Sequence, residues 1–343
     1  MITKLINLAE KGLLPDFIVR YGIRTLLTKR LKSLIHTDQH TNKNNKDLFV
    51  KAMDEAPIAL VPELANEQHY EIPSDFYRLC LGRNKKYSSC FWDKTTHNLD
   101  QAEDLALQIT CEHAELADGM NILELGCGWG SLSLWMAEKF PNASITSVSN
   151  SSSQKDYIMH EANSRNIKNL QVITCDMNDF QTQEIFDRVV SVEMIEHMRN
   201  HRKLFNLIAS WLKPGGLFFM HIFVHKSQPY LFEVQDDDDW MSQYFFSGGM
   251  MPSEDLPLMV QDKLMIKDQW QWSGQHYEKT ANAWLENMDR NHGQVIKVLE
   301  KIYGKDDAVK WMNRWRIFFM ACAELWGYSK GEEWLVSHYL FKK

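Results

Sequence analysis

The sequence predicts an α/β fold with a doubly wound, Rossmann-like parallel sheet, and three observations carry that prediction. A short apolar run, Asn121-Ile-Leu-Glu-Leu125, turns through Gly126, Gly128 and Gly130 straight into the apolar-periodic segment 131–140. Further strand-like runs follow, separated by helical patterns, and that βαβ alternation favours parallel pairing. Polar residues stand at the carboxyl ends of the runs, where sheets of this kind bind ligands beside the topological switch point.

Taken in order, the chain opens on a basic stretch in which Lys4, Lys11, Arg20, Arg24, Lys29, Arg30 and Lys32 stand against Glu10 and Asp16. Phe17, Ile18, Tyr21, Leu27, Leu31 and Leu34 fall near helical spacing, with Pro15 at a plausible first turn. The stretch reads as a helix with its apolar face packed on the main domain and its basic face solvated; the alternative is a membrane-surface helix. The polar run from His36 to Lys46 reads as a linker. Residues 1–60 are therefore expected to form an N-terminal helical extension and linker, and 61–343 the Rossmann-like domain. Within that domain, Asn121–Leu125 is the first strand and Ser144–Ser149 the second; Leu170–Asp176, Phe186–Val192 and Gly216–Phe223 follow. Lys213-Pro-Gly-Gly216 is expected to be the turn into the fifth strand. An insertion at about 223–262 is expected to form a lid before a final hairpin.

A strand that ends on an acidic residue and Gly-x-Gly-x-Gly brings backbone close to a nucleoside-containing cofactor. The nicotinamide fingerprint spaces its glycines one residue wider, so Glu124 with the tighter loop favours S-adenosylmethionine, a ligand without a pyrophosphate. Gly126 and Gly128 would approach its methionine portion, Ser149 and Asn150 the ribose, and Gln154 the first turn of the next helix. Asp176, with Met177 beside it, would meet the adenine by accepting from its exocyclic amine.

A net charge of -7 lacks the basic face that nucleic acid requires. The chain carries 12 Trp and 17 Phe, and their concentration after residue 210 suits a closed pocket for an apolar or aromatic substrate as well as ordinary core packing. Cys80, Cys90, Cys111, Cys127, Cys175 and Cys322 form no Cys-x-x-Cys pair and read as reduced thiols. No run reaches the roughly 18 apolar residues of a membrane span, and no secretory apolar core opens the chain, so a cytoplasmic protein is expected. The histidines form no tight cluster, and the aspartates before Trp240 lack the glycine-spaced oxygen ligands of a calcium loop, so no metal is assigned.

Several segments outside the glycine loop carry a resemblance. Tyr87-Ser-Ser-Cys-Phe-Trp92, Glu124-Leu-Gly-Cys-Gly-Trp-Gly130, Glu193-Met-Ile-Glu-His197, Asp236-Asp-Asp-Asp-Trp240 and His276-Tyr-Glu-Lys-Thr280 together resemble the cyclopropane-fatty-acid-synthase-like methyltransferases, and within them the coclaurine N-methyltransferase group. The resemblance implies a class I Rossmann-like methyltransferase sheet and S-adenosylmethionine as cofactor, with Tyr87 and Ser88 as lid contacts to its carboxylate end.

The lipid enzymes of this family have a cysteine directly after Tyr-Ser, where it helps hold a bicarbonate ion; here that position is Ser89. They usually have glycine where this chain has Glu193. Both departures point to N-methylation of a small, partly aromatic amine, because a second carboxylate suits an amine and is out of place beside an acyl chain. Glu196, His221 and Tyr277 nevertheless match the remaining bicarbonate-site positions, which keeps modification of unsaturated phospholipid acyl chains as the alternative. A non-catalytic ligand-binding homologue is a third reading. An amine attacks through its free lone pair, so a bound ammonium must lose a proton. By resemblance, Glu193 would attract the ammonium, Glu196 with His197 would orient it and take the proton, and His221 and Tyr277 would line the substrate pocket. The oligomeric state is left open.

Overall fold

The short apolar runs become strands β1 (Asn121–Leu125), β2 (Ser144–Ser149), β3 (Leu170–Thr174), β4 (Phe186–Val192) and β5 (Leu212–His225). A two-stranded ribbon, β6 (Tyr230–Leu231) and β7 (Met250–Met251), follows, then β8 (Met265–Trp272) and β9 (Trp334–Lys342). The computed structural model describes residues 2–35, 39–60, 72–233 and 239–343. The expected boundary between residues 60 and 61 borders a stretch outside the described residues, and Asp236, Asp237 and Asp238 of the aspartate run lie outside them.

The main sheet runs β3-β2-β1-β4-β5-β9-β8, with β1 to β5 parallel and β9 antiparallel to both its neighbours. The order reverses at β1 and β4, which places the switch point where those strands end. Alternation along β5 fills two cores. Phe218, Met220, Ile222 and Val224 join one apolar cluster with Leu204, Phe205 and Ile208, while Leu217 and Phe219 join another with Leu132, Met136 and Ile158. A third, strongly aromatic cluster lies between the sheet and helices Gly274–Arg290 and His292–Gly327 and holds Tyr77, Trp284, Trp315, Phe319 and Trp326. The second of these helices is broken at Gly304.

The structure corrects several expectations. Lys213 to Gly216 is no separate turn: β5 already pairs Leu212 with Phe186, and Gly215, at φ +75°, absorbs the register shift before Leu217 meets Arg188. β3 ends at Thr174, two residues early. The final strands are not a tight hairpin, because the two long helices stand between β8 and β9. The supposed linker is helical from Gln39, in a helix Gln39–Glu55 whose Val50 and Met53 are buried with Leu204 and Phe205. Its asparagine-rich start hides a helix whose apolar face begins only at Phe49.

The basic helix Asp16–Leu34 packs on helix His292–Gly327 through Ile23, Leu27 and Leu31. Its basic face is not simply solvated. Glu324 accepts from Arg20 at 3.0 Å and Arg24 at 2.6 Å, and Arg316 reaches back to Asp16 at 2.9 Å. Ahead of it, the buried Glu10 accepts from Arg314 and from Trp240 Nε1, both at 2.9 Å. Phe17 and Tyr21 from the expected apolar face are exposed. Among the described residues no helix is long and apolar enough to cross a membrane.

Candidate active site

Two cavities meet where β1, β2 and β4 end. The first is floored by the glycine loop, with Gly126 at φ +79° and Gly128 at φ +51° in the left-handed region. Gly126 N and Cys127 N both donate to Val148 O at 3.0 Å, which ties the loop to β2. A side-chain carbon on Gly128 would meet nothing within 4 Å, so the space over the loop stays open. Glu124 lies beneath the loop and does not line the cavity. It accepts from Ser147 Oγ at 2.8 Å and from Ser133, and burial pushes its carboxyl up to about 7.

Gly126, Gly128, Ser149, Asn150, Gln154, Asp176 and Met177 converge on this cavity with Glu193 and His197, around about 760 Å³ of empty space. Ser149 Oγ donates to Gln154 Oε1 at 2.7 Å, and the buried Gln154 Nε2 has no hydrogen-bond partner among the described residues. Asp176 accepts from Asn178 N at 2.7 Å and still borders the cavity. An open glycine floor, an orphaned amide donor and a carboxylate acceptor fit the amino-acid, ribose and adenine parts of a nucleoside-linked methionine.

The second cavity, with about 740 Å³ of empty space that opens to solvent, shares Glu193 and His197 with the first. Its walls include Tyr87, Phe246, Tyr277, Trp284, Phe318 and Trp326. Tyr277 stacks on Trp326 with centroids 4.8 Å apart and 3° between planes, while Trp284 meets Tyr277 edge-on. Flat π-faces around a carboxylate attract an organic cation.

Glu193 is the junction. It is the residue after β4 and adopts φ +48°, a left-handed conformation that a residue with a Cβ reaches only at a cost of about 1–2 kcal/mol. Ser89 N donates to its Oε1 at 2.8 Å, Tyr277 Oη donates to its Oε2 at 2.7 Å, and His221 Nε2 lies 3.2 Å from Oε1. Of the roughly four lone-pair sites on a carboxylate, Ser89 N and Tyr277 Oη occupy about two, which leaves room for a ligand N–H, while His221 Nε2 gives or takes a proton according to its tautomer. Burial pushes the carboxyl above its usual range, opposed by the Lys86 charge, the Ser89 N–H and the Tyr277 hydroxyl.

Glu196 departs from expectation. It is fully buried and lines neither cavity. The 3-10 turn Ile195–His197 turns its side chain under β5, where Oε1 accepts from Phe223 N at 2.8 Å and Oε2 has no hydrogen-bond partner among the described residues. His197 does face both cavities, with its ring 4.6 Å from Phe246. Of the two expected lid residues, Tyr87 lines the second cavity, and Ser88 lines neither but accepts from Lys86 Nζ at 2.6 Å. His221 stands behind Glu193, outside both linings.

Sequence reasoning passed over Lys86, a buried ammonium that also donates to Ser89 O at 2.6 Å and so braces the segment that delivers Ser89 N to Glu193. It also passed over Trp284 and Trp326. The concentration of aromatics after residue 210 was the available signal, but it reads equally well as core packing.

With this geometry in place, residues 62–331 match the family model described as mycolic acid cyclopropane synthetase. The chain belongs to this family. Among cyclopropane-synthetase relatives, the (S)-coclaurine N-methyltransferase of Thalictrum flavum subsp. glaucum is 35% identical, over 100% of this chain and 96% of its own length. That of Papaver somniferum is 36% identical, over 99% and 98%. A crystal structure of coclaurine N-methyltransferase bound to N-methylheliamine and S-adenosylhomocysteine superposes at TM-score 0.96, with 35% identity and coverage of 100% of this chain and 99% of that one.

Proposed function

We propose that this chain is an S-adenosylmethionine-dependent N-methyltransferase acting on a small, partly aromatic amine. One observation carries the reading: Glu193, a carboxylate held by Ser89 N, Tyr277 Oη and His221, stands between a nucleoside-shaped cavity and an aromatic cage. By the resemblance, the family's lipid enzymes hold a free bicarbonate with the equivalents of Ser89, Glu196, His221 and Tyr277. Here a side-chain carboxylate contacts three of those four positions, Ser89, His221 and Tyr277, which supports a base that belongs to the protein.

In this reading Gly126, Gly128, Ser149, Asn150, Gln154, Asp176 and Met177 hold the cofactor. When bound, it supplies an electrophilic sulfonium methyl that an amine lone pair takes by in-line displacement. Glu193 attracts the substrate ammonium, accepts its proton and leaves the nitrogen lone pair facing the first cavity. His197 orients the amine, and Tyr87, Tyr277, Trp284 and Trp326 fix its apolar body and exclude water. Glu196 acts from behind by fixing the β5 backbone at Phe223. Phe223, Phe232, Met241, Phe246 and Met251 of the expected lid insertion wall the cage.

The test sets two substrates side by side in carbonate-depleted buffer with radiolabelled cofactor: heliamine, and vesicles of a cis-unsaturated phospholipid. Methylated heliamine with no label in lipid is the expected result. Label in the acyl chains that requires added bicarbonate would move the protein to the lipid branch.

A further inference from the structure

Glu193 does not end in the protein interior. His221 Nε2 lies 3.2 Å from Glu193 Oε1, His221 Nδ1 lies 2.9 Å from His338 Nε2, and His338 Nδ1 lies 2.9 Å from His113 Nδ1. Sheet register builds the row, because His221 on β5 is directly opposite His338 on β9, and His338 is opposite Trp270 on β8. The His113 ring, at the end of helix Leu99–His113, stacks on Trp270 at 3.9 Å and 10°. His221 and His338 are fully buried, and His113 at the outer end is half-buried. The row therefore leads from the shared junction of the two cavities across three strands to the outside of the sheet.

We infer that Glu193, His221, His338 and His113 form a proton relay that carries the substrate's proton out of the closed site, an inference that rests on the N-methyltransferase reading above. The ammonium N–H bond breaks as an O–H bond forms on Glu193. That O–H proton passes to His221 Nε2, the Nδ1 proton of His221 passes to His338 Nε2, and the Nδ1 proton of His338 passes to His113 Nδ1. The Nε2 proton of His113 leaves to water. Each ring takes one proton on one nitrogen and gives one up from the other, so no charge is stored and each ring ends in the opposite tautomer; once product has left, the shift runs inward from water at His113 and Glu193 gives the returned proton to water in the open cavity, which restores the starting state.

The surroundings favour neutral rings. Burial pushes His221 and His338 well below the usual imidazole range, and the buried Lys86 charge pushes the same way on both. Trp272 meets His221 edge-on and His338 at 4.2 Å, so the walls of the row are aromatic. A carboxyl that took the proton with no exit would stay neutral until the site reopened, and the proton would leave only with product.

The relay is tested by timing. In one single-turnover experiment with heliamine in weakly buffered solution, quenched samples report methyl transfer and a pH-indicator dye reports proton release. Wild-type enzyme is expected to release its proton together with methyl transfer. His338→Phe is expected to delay release at least about tenfold behind its own methyl transfer, in keeping with the worth of a positioned proton-transfer group. Should that buried variant fail to fold, His113→Leu, which cuts the outer end alone, is expected to show the same lag. Synchronous release in a folded variant overturns the relay, because a merely structural histidine ladder would leave the timing unchanged. Absence of methyl transfer by the wild type overturns the functional reading itself, and the relay with it.

Discussion

A glutamate in left-handed backbone at the meeting point of two cavities is costly, and Glu193 can be separated into its backbone and its carboxylate. Glycine adopts φ +48° without penalty, so Glu193→Gly is expected to be more stable than Glu193→Ala by about 1 kcal/mol in urea denaturation. Both variants are expected to lose about a hundredfold or more in turnover while S-adenosylhomocysteine affinity, measured by calorimetry, stays within about twofold. Equal stability of the two would mean that φ at this position costs nothing. Glu196→Gln is expected to act far less on turnover than Glu193→Gln, since Glu196 touches the β5 backbone and neither cavity. Sequence alone distributed the proton chemistry the other way. Glu193, Glu196 and His197 are adjacent in the motif, and only the 3-10 turn decides which side chain faces the ligand. No periodicity encodes that choice.

At the scale of elements, the β1 loop makes two demands. Gly128→Val would require a β-branched residue at φ +51° and place methyls in the open space over the loop, so S-adenosylhomocysteine binding is expected to vanish from calorimetry while the fold survives. Wild-type affinity in that variant would remove the loop from the cofactor site. Beneath it, Glu124 has a carboxyl pushed up to about 7 by burial. Its folded pKa lies above the unfolded value of about 4.3, so its contribution to stability is fully present below that pH and is lost as pH rises through 7. Glu124→Gln cannot titrate, so its stability relative to wild type is expected to climb between about pH 4.5 and 7.5 and then level off; a constant difference across that range contradicts the assignment. The strands were legible because β1, β2, β4 and β5 are short, largely buried runs, as a sheet covered on both faces requires, ended by glycine or polar residues. The helix Gln39–Glu55 was not, because its polar first turns resemble a linker, and the pairing of His221 with His338 was not, because they lie far apart in the chain and meet only through β5–β9 register.

Across the whole molecule the two cavities are supported by different parts of the chain, and this separates substrate binding from cofactor binding. The cofactor cavity is built on the ends of β1 to β4, whereas Phe318, Cys322, Leu325 and Trp326 of helix His292–Gly327 wall the cage. That helix is held from outside by the N-terminal segment, through Arg20 and Arg24 on Glu324, Arg316 on Asp16, and Glu10 on Arg314 and Trp240. The exposed pairs are each worth little, but Glu10 and Arg314 are buried, and Ile23, Leu27 and Leu31 add apolar contact. Removing residues 1–35 should therefore let the cage wall shift while the strand ends stay in place. Because misplacing a bound nucleophile by about 1 Å costs up to about a hundredfold in rate, the truncated protein is expected to show a kcat/KM for the amine lower by roughly tenfold or more. Its affinity for S-adenosylhomocysteine is expected to stay within about twofold of the full chain. The measurement is a pair, steady-state kinetics on heliamine beside calorimetry with the cofactor product. A parallel fall in both would mean that the extension supports the sheet as a whole, and no change in either would mean that the cage holds its shape without it.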